Sequence, residues 1–170
     1  MENLIPYFVE LIRRTATDLP ADVEEALRKA WAEEDPDSAA RNTLDAILEN
    51  VRLSRARSTP ICQDTGTPIF YVYYPAGWSK LALKRQIREA VAEATAKSYL
   101  RPNSVDSLTG KNPGNNLGEE FPTFHFEEWE EDYLKVDLML KGGGCENVGA
   151  QYSLPDTRLG ADREDRKSVV

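Results

Sequence analysis

Residues 67–100, TPIFYVYYPAGWSKLALKRQIREAVAEATAKSYL, decide how the rest of the chain is read. The run from Thr67 to Tyr74 is β-branched and aromatic and stops at Pro75-Ala76-Gly77-Trp78, so it reads as a strand closed by a turn. Ser79 then offers a hydroxyl to cap a helix. Ile87, Val91, Ala94 and Ser98 follow at helical spacing and share one face of it.

Upstream, the first 57 residues read as helical throughout. Leu4, Phe8 and Leu11, with Ile5, Val9 and Ile12 beside them, keep three- and four-residue spacing. A second helix follows Pro20 with Val23, Leu27 and Trp31 on one stripe. A third starts near Asp37 or Ser38, either of which suits an N-cap, and runs through Leu44, Ile47, Leu48 and Val51 into the basic segment RLSRARS. Three short helices on polar turns predict a small antiparallel bundle that acts as a scaffold.

Downstream, RPNSVDSLTGKNPGNNLGEE is rich in Gly, Pro, Asn and Ser without apolar periodicity, and reads as a long loop of the kind that tends to be functional or disordered. Residues 121–141 alternate in polarity around a polar turn near Glu131 and Asp132, a hairpin signal that runs into KGGGCENVG. The expected fold is therefore α+β. A helical bundle over 1–57 is followed by a mixed α/β region over 58–170 with a β-hairpin and one long helix, the two forming one compact unit. The tail GADREDRKSVV, with Asp162 as a cap and Val169–Val170 at the end, reads either as a helix cut near its first buried turn or as a frayed terminus.

At 170 residues, 41% of them hydrophobic, the chain fills one sizeable core. Its net charge of -8 repels phosphate backbones and anionic lipid, so neither nucleic acid nor a membrane is an expected partner. The absence of a signal sequence or an apolar run of spanning length predicts a cytoplasmic protein. In such a reducing compartment the two cysteines, Cys62 and Cys145, are expected as thiols rather than a disulfide.

Within CQDTG, a thiolate at Cys62 suits zinc or an iron–sulfur cluster, Asp64 suits proton transfer and Gln63 suits holding a substrate oxygen. As a bare string it reads more simply as a buried cysteine before a turn, since no CxxC or HxxxH spacing accompanies it. The glycine triplet 142–144 permits either a plain turn or a close approach of backbone N–H groups to an anion. Arg101 suits a forked grip on a carboxylate or simply answers the negative end of a helix. His125, the lone histidine, sits on the strand face opposite Phe124 and Phe126 and is expected to be structural or solvent-facing.

Taken in order, PICQDTGTPIF, LRPNS, KNPGNN and KGGGCEN resemble the catalytic alpha-type region of the class I fumarases and the related L-tartrate dehydratases. The match runs from about residue 59 to 147. These families are hydro-lyases built on a four-iron, four-sulfur cluster (4Fe-4S) that act on a small dicarboxylate such as fumarate, malate or tartrate. The resemblance implies Cys62 as one cluster ligand, Asp64 as the proton-transfer group, Gln63 and Arg101 as substrate-binding side chains, and Gly142, Gly143 and Gly144 as the segment closing over the substrate. It implies no ligand role for Cys145.

Three cysteines hold the cluster in that family, so one matching cysteine leaves ligation incomplete. The resemblance therefore implies a missing C-terminal segment or beta subunit, a homodimer or heterotetramer as the assembled form, and an inactive chain when alone. Two other readings stay open on the sequence: a stand-alone dicarboxylate-binding or regulatory module without a cluster, and a small redox or zinc protein using Cys62 and Cys145.

Overall fold

A computed structural model describes residues 2–106, 108–119 and 121–142. The elements run α1 (Ile5–Thr17), α2 (Ala21–Glu33), α3 (Ala39–Arg57), β1 (Thr67–Pro75), α4 (Lys80–Ala96), β2 (Thr123–Trp129) and β3 (Lys135–Lys141). The architecture is α+β.

Ser79 caps α4 as expected, and of the two candidates for α3 it is Ser38 that caps. The Ser38 hydroxyl accepts from the Arg41 N–H to start α3, and the Ser79 hydroxyl accepts from the Ala82 N–H to start α4. α1 has no side-chain cap of its own. Instead Gln86 of α4 reaches across: its Oε1 accepts from the Leu4 N–H at 2.6 Å and its Nε2 donates to Glu2 O at 3.2 Å.

The sheet is ordered β2-β1-β3. β1 pairs with β2 in parallel, Phe70 opposite Phe124, and with β3 antiparallel, Phe70 opposite Leu138. The expected hairpin between β2 and β3 is thus replaced by two strands flanking β1. Alternation correctly marked both strands and the turn between them, but a two-residue period assigns faces, not neighbours. β1 carries the most apolar inner face, with Phe70 and Val72 buried, and a central place pairs both of its edges. The link 130–134 therefore passes the C-terminal end of β1, while α4 and the long loop supply the connection that a parallel β1–β2 pair requires.

Phe70, Val72 and Tyr74 form a single core with Phe8, Val9, Ile12 and Ala16 of α1 and Leu83, Ile87, Ala90, Val91 and Ala94 of α4. Ile12, Phe70, Leu83 and Ile87 are completely buried. Each such side chain contributes about 1.5–3 kcal/mol of burial. Ser98 departs from its expected place on this face: it lies beyond the end of α4, exposed, at φ 61°. α2 buries no residue fully and packs on α3, while α1 turns its main face to α4.

The other face of the sheet carries Tyr71 stacked on His125, ring centroids 4.7 Å apart. His125 is exposed there, opposite Phe124 and Phe126 as its strand position predicts. The loop 101–119 contains no helix or strand among its described residues. The expectation of a helix near Asp162 falls outside the described residues.

Candidate active site

The segment before β1 is held from two helices. The Ile61 N–H donates to Ala16 O at the end of α1 (2.9 Å), and Asn50 Nδ2 of α3 donates to Ile61 O (2.9 Å). Both backbone groups of the residue before Cys62 are thereby fixed. The Cys62 thiol itself is free and exposed.

Four residues later the chain meets the end of β3. Gly66 lies at φ 58°, and a Cβ placed there would come within 1.6 Å of Lys141 O and 2.7 Å of Gly142 Cα, so only glycine permits this approach. Gly142 in turn backs onto Asp64: a Cβ on it would stand 3.0 Å from Asp64 Oδ2. The CQDTG turn and the start of the glycine triplet thus interlock, although they lie far apart in sequence.

The third segment of the site is the chain leaving α4. The Arg101 N–H donates to Thr65 Oγ1 (3.0 Å), and Arg101 O accepts from Asn116 Nδ2 (2.9 Å). Asn116 is fully buried at φ 57°, a conformation asparagine tolerates, and its Oδ1 accepts from the Ser104 N–H at 3.1 Å. Asn103 Nδ2 donates both to Gln63 O (3.2 Å) and to Asp64 Oδ1 (3.3 Å). Thr65, itself buried, therefore ties the CQDTG turn to the segment that carries Arg101.

Two adjoining clefts result. Cys62, Gln63 and Arg101 line one of about 540 Å³ together with Thr59 and Pro102. Asp64, Gly66, Asn103 and Lys141 line another of about 690 Å³, and Pro102 belongs to both walls. The structure brings Cys62, Gln63 and Arg101 to one cleft, sets Asp64 in its neighbour and places Gly142 against Asp64. Gly143, Gly144 and Cys145 lie outside the described residues. Among the described residues the Arg101 guanidinium enters no ion pair, which leaves it able to meet an incoming carboxylate.

The asparagines escaped the sequence reading. Asn50, Asn103 and Asn116 each satisfy backbone groups of the site, yet a single amide in a helix or polar loop has no periodicity to betray it. The available signal was the density of Asn around Pro and Gly in RPNS and NPGNN, where irregular backbone needs side chains to satisfy its polar groups.

Comparison with known proteins gives the family. The profile of the family described as fumarate hydratase (fumerase) matches residues 6–166. The chain belongs to this fumarate hydratase family. A Geobacillus stearothermophilus protein whose name assigns it to the class I fumarate hydratases is 48% identical over 166 residues, covering 98% of this chain and 32% of its own length. A Methanocaldococcus jannaschii protein named as an L(+)-tartrate dehydratase alpha subunit is 35% identical over 147 residues, 84% of this chain and 51% of its own. The L(+)-tartrate dehydratase alpha subunit of Escherichia coli K12 is 28% identical over 150 residues, 85% of this chain and 47% of its own. The fumarase-family chain thus spans between about a third and about half of these relatives.

The donor set bears on a cluster. Cysteine sulfur is the soft donor that iron–sulfur clusters take, and Cys62 presents one such side chain, exposed, at a cleft wall. Among the described residues no group of three or more His, Cys, Asp or Glu gathers to hold a metal ion. By its chemistry and exposure Cys62 fits as one donor to such a group. No helix among the described residues is long and apolar enough to cross a membrane.

Proposed function

We propose that this chain supplies part of the active site of an iron–sulfur hydro-lyase that adds water to, or removes it from, a small dicarboxylate such as fumarate/malate or tartrate. The observation that carries the reading is the meeting of the CQDTG turn, Arg101 and Gly142 around Thr65, because three segments distant in sequence converge on residues of complementary chemistry.

Arg101 grips one substrate carboxylate with its planar fork. Gln63, on the same cleft, offers an amide to a substrate oxygen. Asp64 moves a proton at the substrate hydroxyl: in hydration the water oxygen bonds to one alkene carbon, one water proton is taken up by a base, and a proton is delivered to the neighbouring carbon. Gly142 to Gly144 close over the substrate. Cys62 holds one iron of a 4Fe-4S cluster, which supplies Lewis acidity at the hydroxyl when bound.

With two cysteines in the whole chain, the ligation is incomplete without further polypeptide, either a C-terminal continuation or a beta subunit. Relatives named as alpha subunits support a partner subunit; the assembly we propose is a homodimer if the missing segment continues this chain, or a heterotetramer if a beta subunit supplies it. A free thiol at this site suits a reducing compartment such as the cytoplasm. The test is anaerobic reconstitution of the isolated chain with iron and sulfide, read by metal analysis and a fumarate hydration assay. Absence of turnover by the isolated chain is the expected result, with any iron bound accompanied by sulfide. Robust turnover by this chain alone overturns its need for a partner, and zinc bound without sulfide overturns the cluster reading.

A further inference from the structure

We infer that Asn103 is a positioning residue for Asp64, an inference that rests on the hydro-lyase reading above. The geometry is specific to its amide. Nδ2 carries two hydrogens, and the two acceptors within reach are Gln63 O at 3.2 Å and Asp64 Oδ1 at 3.3 Å. Both donors are spent inside the protein, so the amide acts on the carboxylate and not on the substrate.

The carboxylate is bounded on its other oxygen as well. Gly142 stands so close that a Cβ there would lie 3.0 Å from Asp64 Oδ2. Asp64 therefore has one oxygen tied by an amide and the other against backbone, which sets its plane. Asn103 is itself held in place: its N–H donates to Arg101 O at 2.8 Å, and the residues on either side of it are anchored, Pro102 by the Asn112 amide and Ser104 by buried Asn116. Because the same short segment carries Arg101, Asn103 fixes the separation between the carboxylate-binding arginine and the proton-transfer group. A substrate spanning both would be sensitive to that separation, since reactive geometry tolerates little displacement.

The experiment compares wild type, Asn103→Ala and Asn103→Asp in the reconstituted holoenzyme, with steady-state kinetics, thermal denaturation and a crystal structure of the alanine variant. Expected for Asn103→Ala is a fall in kcat of about tenfold with KM within about twofold of wild type, and an Asp64 carboxylate that has left its rotamer. Asn103→Asp, which replaces the donor by a second negative charge, falls further. An unchanged kcat, a rise confined to KM, or an Asp64 carboxylate that keeps its place in the alanine variant overturns the inference. A wild-type holoenzyme that turns over no dicarboxylate defeats instead the hydro-lyase reading.

Discussion

Gly66 is the residue on which the site's closeness depends. At φ 58° an L side chain costs about 1–2 kcal/mol by conformation alone. The contact is the larger penalty, since a Cβ within 1.6 Å of Lys141 O forces the turn and β3 apart. Gly66→Ala is expected to lose on the order of 4 kcal/mol or more in denaturant unfolding. Gly142→Ala behaves differently. Its Cβ meets Asp64 at 3.0 Å, a distance that a shift of a few tenths of an ångström relieves, so activity of the holoenzyme should suffer more than stability. At this scale the ordered motifs singled out Cys62, Gln63, Asp64 and Arg101 as candidates, and their placement on two adjoining clefts is what the structure adds. The asparagines that hold them were not singled out, because their partners are backbone atoms of distant segments and no local pattern encodes such partners.

Among elements, β1 and α4 carry the fold. Phe70→Ala is expected to cost about 3–5 kcal/mol and Leu83→Ala about 2–5, while the change at Leu108, which is 95% exposed, should stay within about 0.5. Denaturant unfolding followed by circular dichroism measures all three. β1, α4 and their caps could be read from sequence, since period and capping chemistry are local. Strand order could not, because Phe124 and Leu138 are both suitable partners for an apolar central strand and the choice is made by what buries Phe70 on both sides.

Charge acts at the same scale in α1. Hydrogen bonds from Arg13, and then from Arg14, lower the Glu10 carboxyl from its ordinary 4.5 to about 2. A depressed folded-state value stabilises fully above about pH 4.5 and is lost as pH falls towards 2. Asp18 is lowered too, chiefly by the Arg55 guanidinium that joins α3 to the end of α1. The melting temperature should therefore fall through that window, and Glu10→Gln should flatten the fall. Glu10 keeps 43% of its side-chain surface exposed, so the effect is small and shrinks further in high salt.

The whole molecule carries -8 yet is proposed to bind a dianion. Local positive groups have to override that field, and Arg101 and Lys141 stand on the two adjoining clefts to do so. The proposed ligation belongs to this scale as well: on the hydro-lyase reading the exposed Cys62 thiol would hold one corner of a cluster, and the other donors would come from further polypeptide. Iron and acid-labile sulfide per chain, measured beside fumarate hydration in the holoenzyme with Cys62 intact and with Cys62→Ser, test the central claim most directly. Cys62→Ser is expected to lose both the cluster and the turnover while remaining folded. Retention of iron, sulfide and activity by that variant would contradict the account.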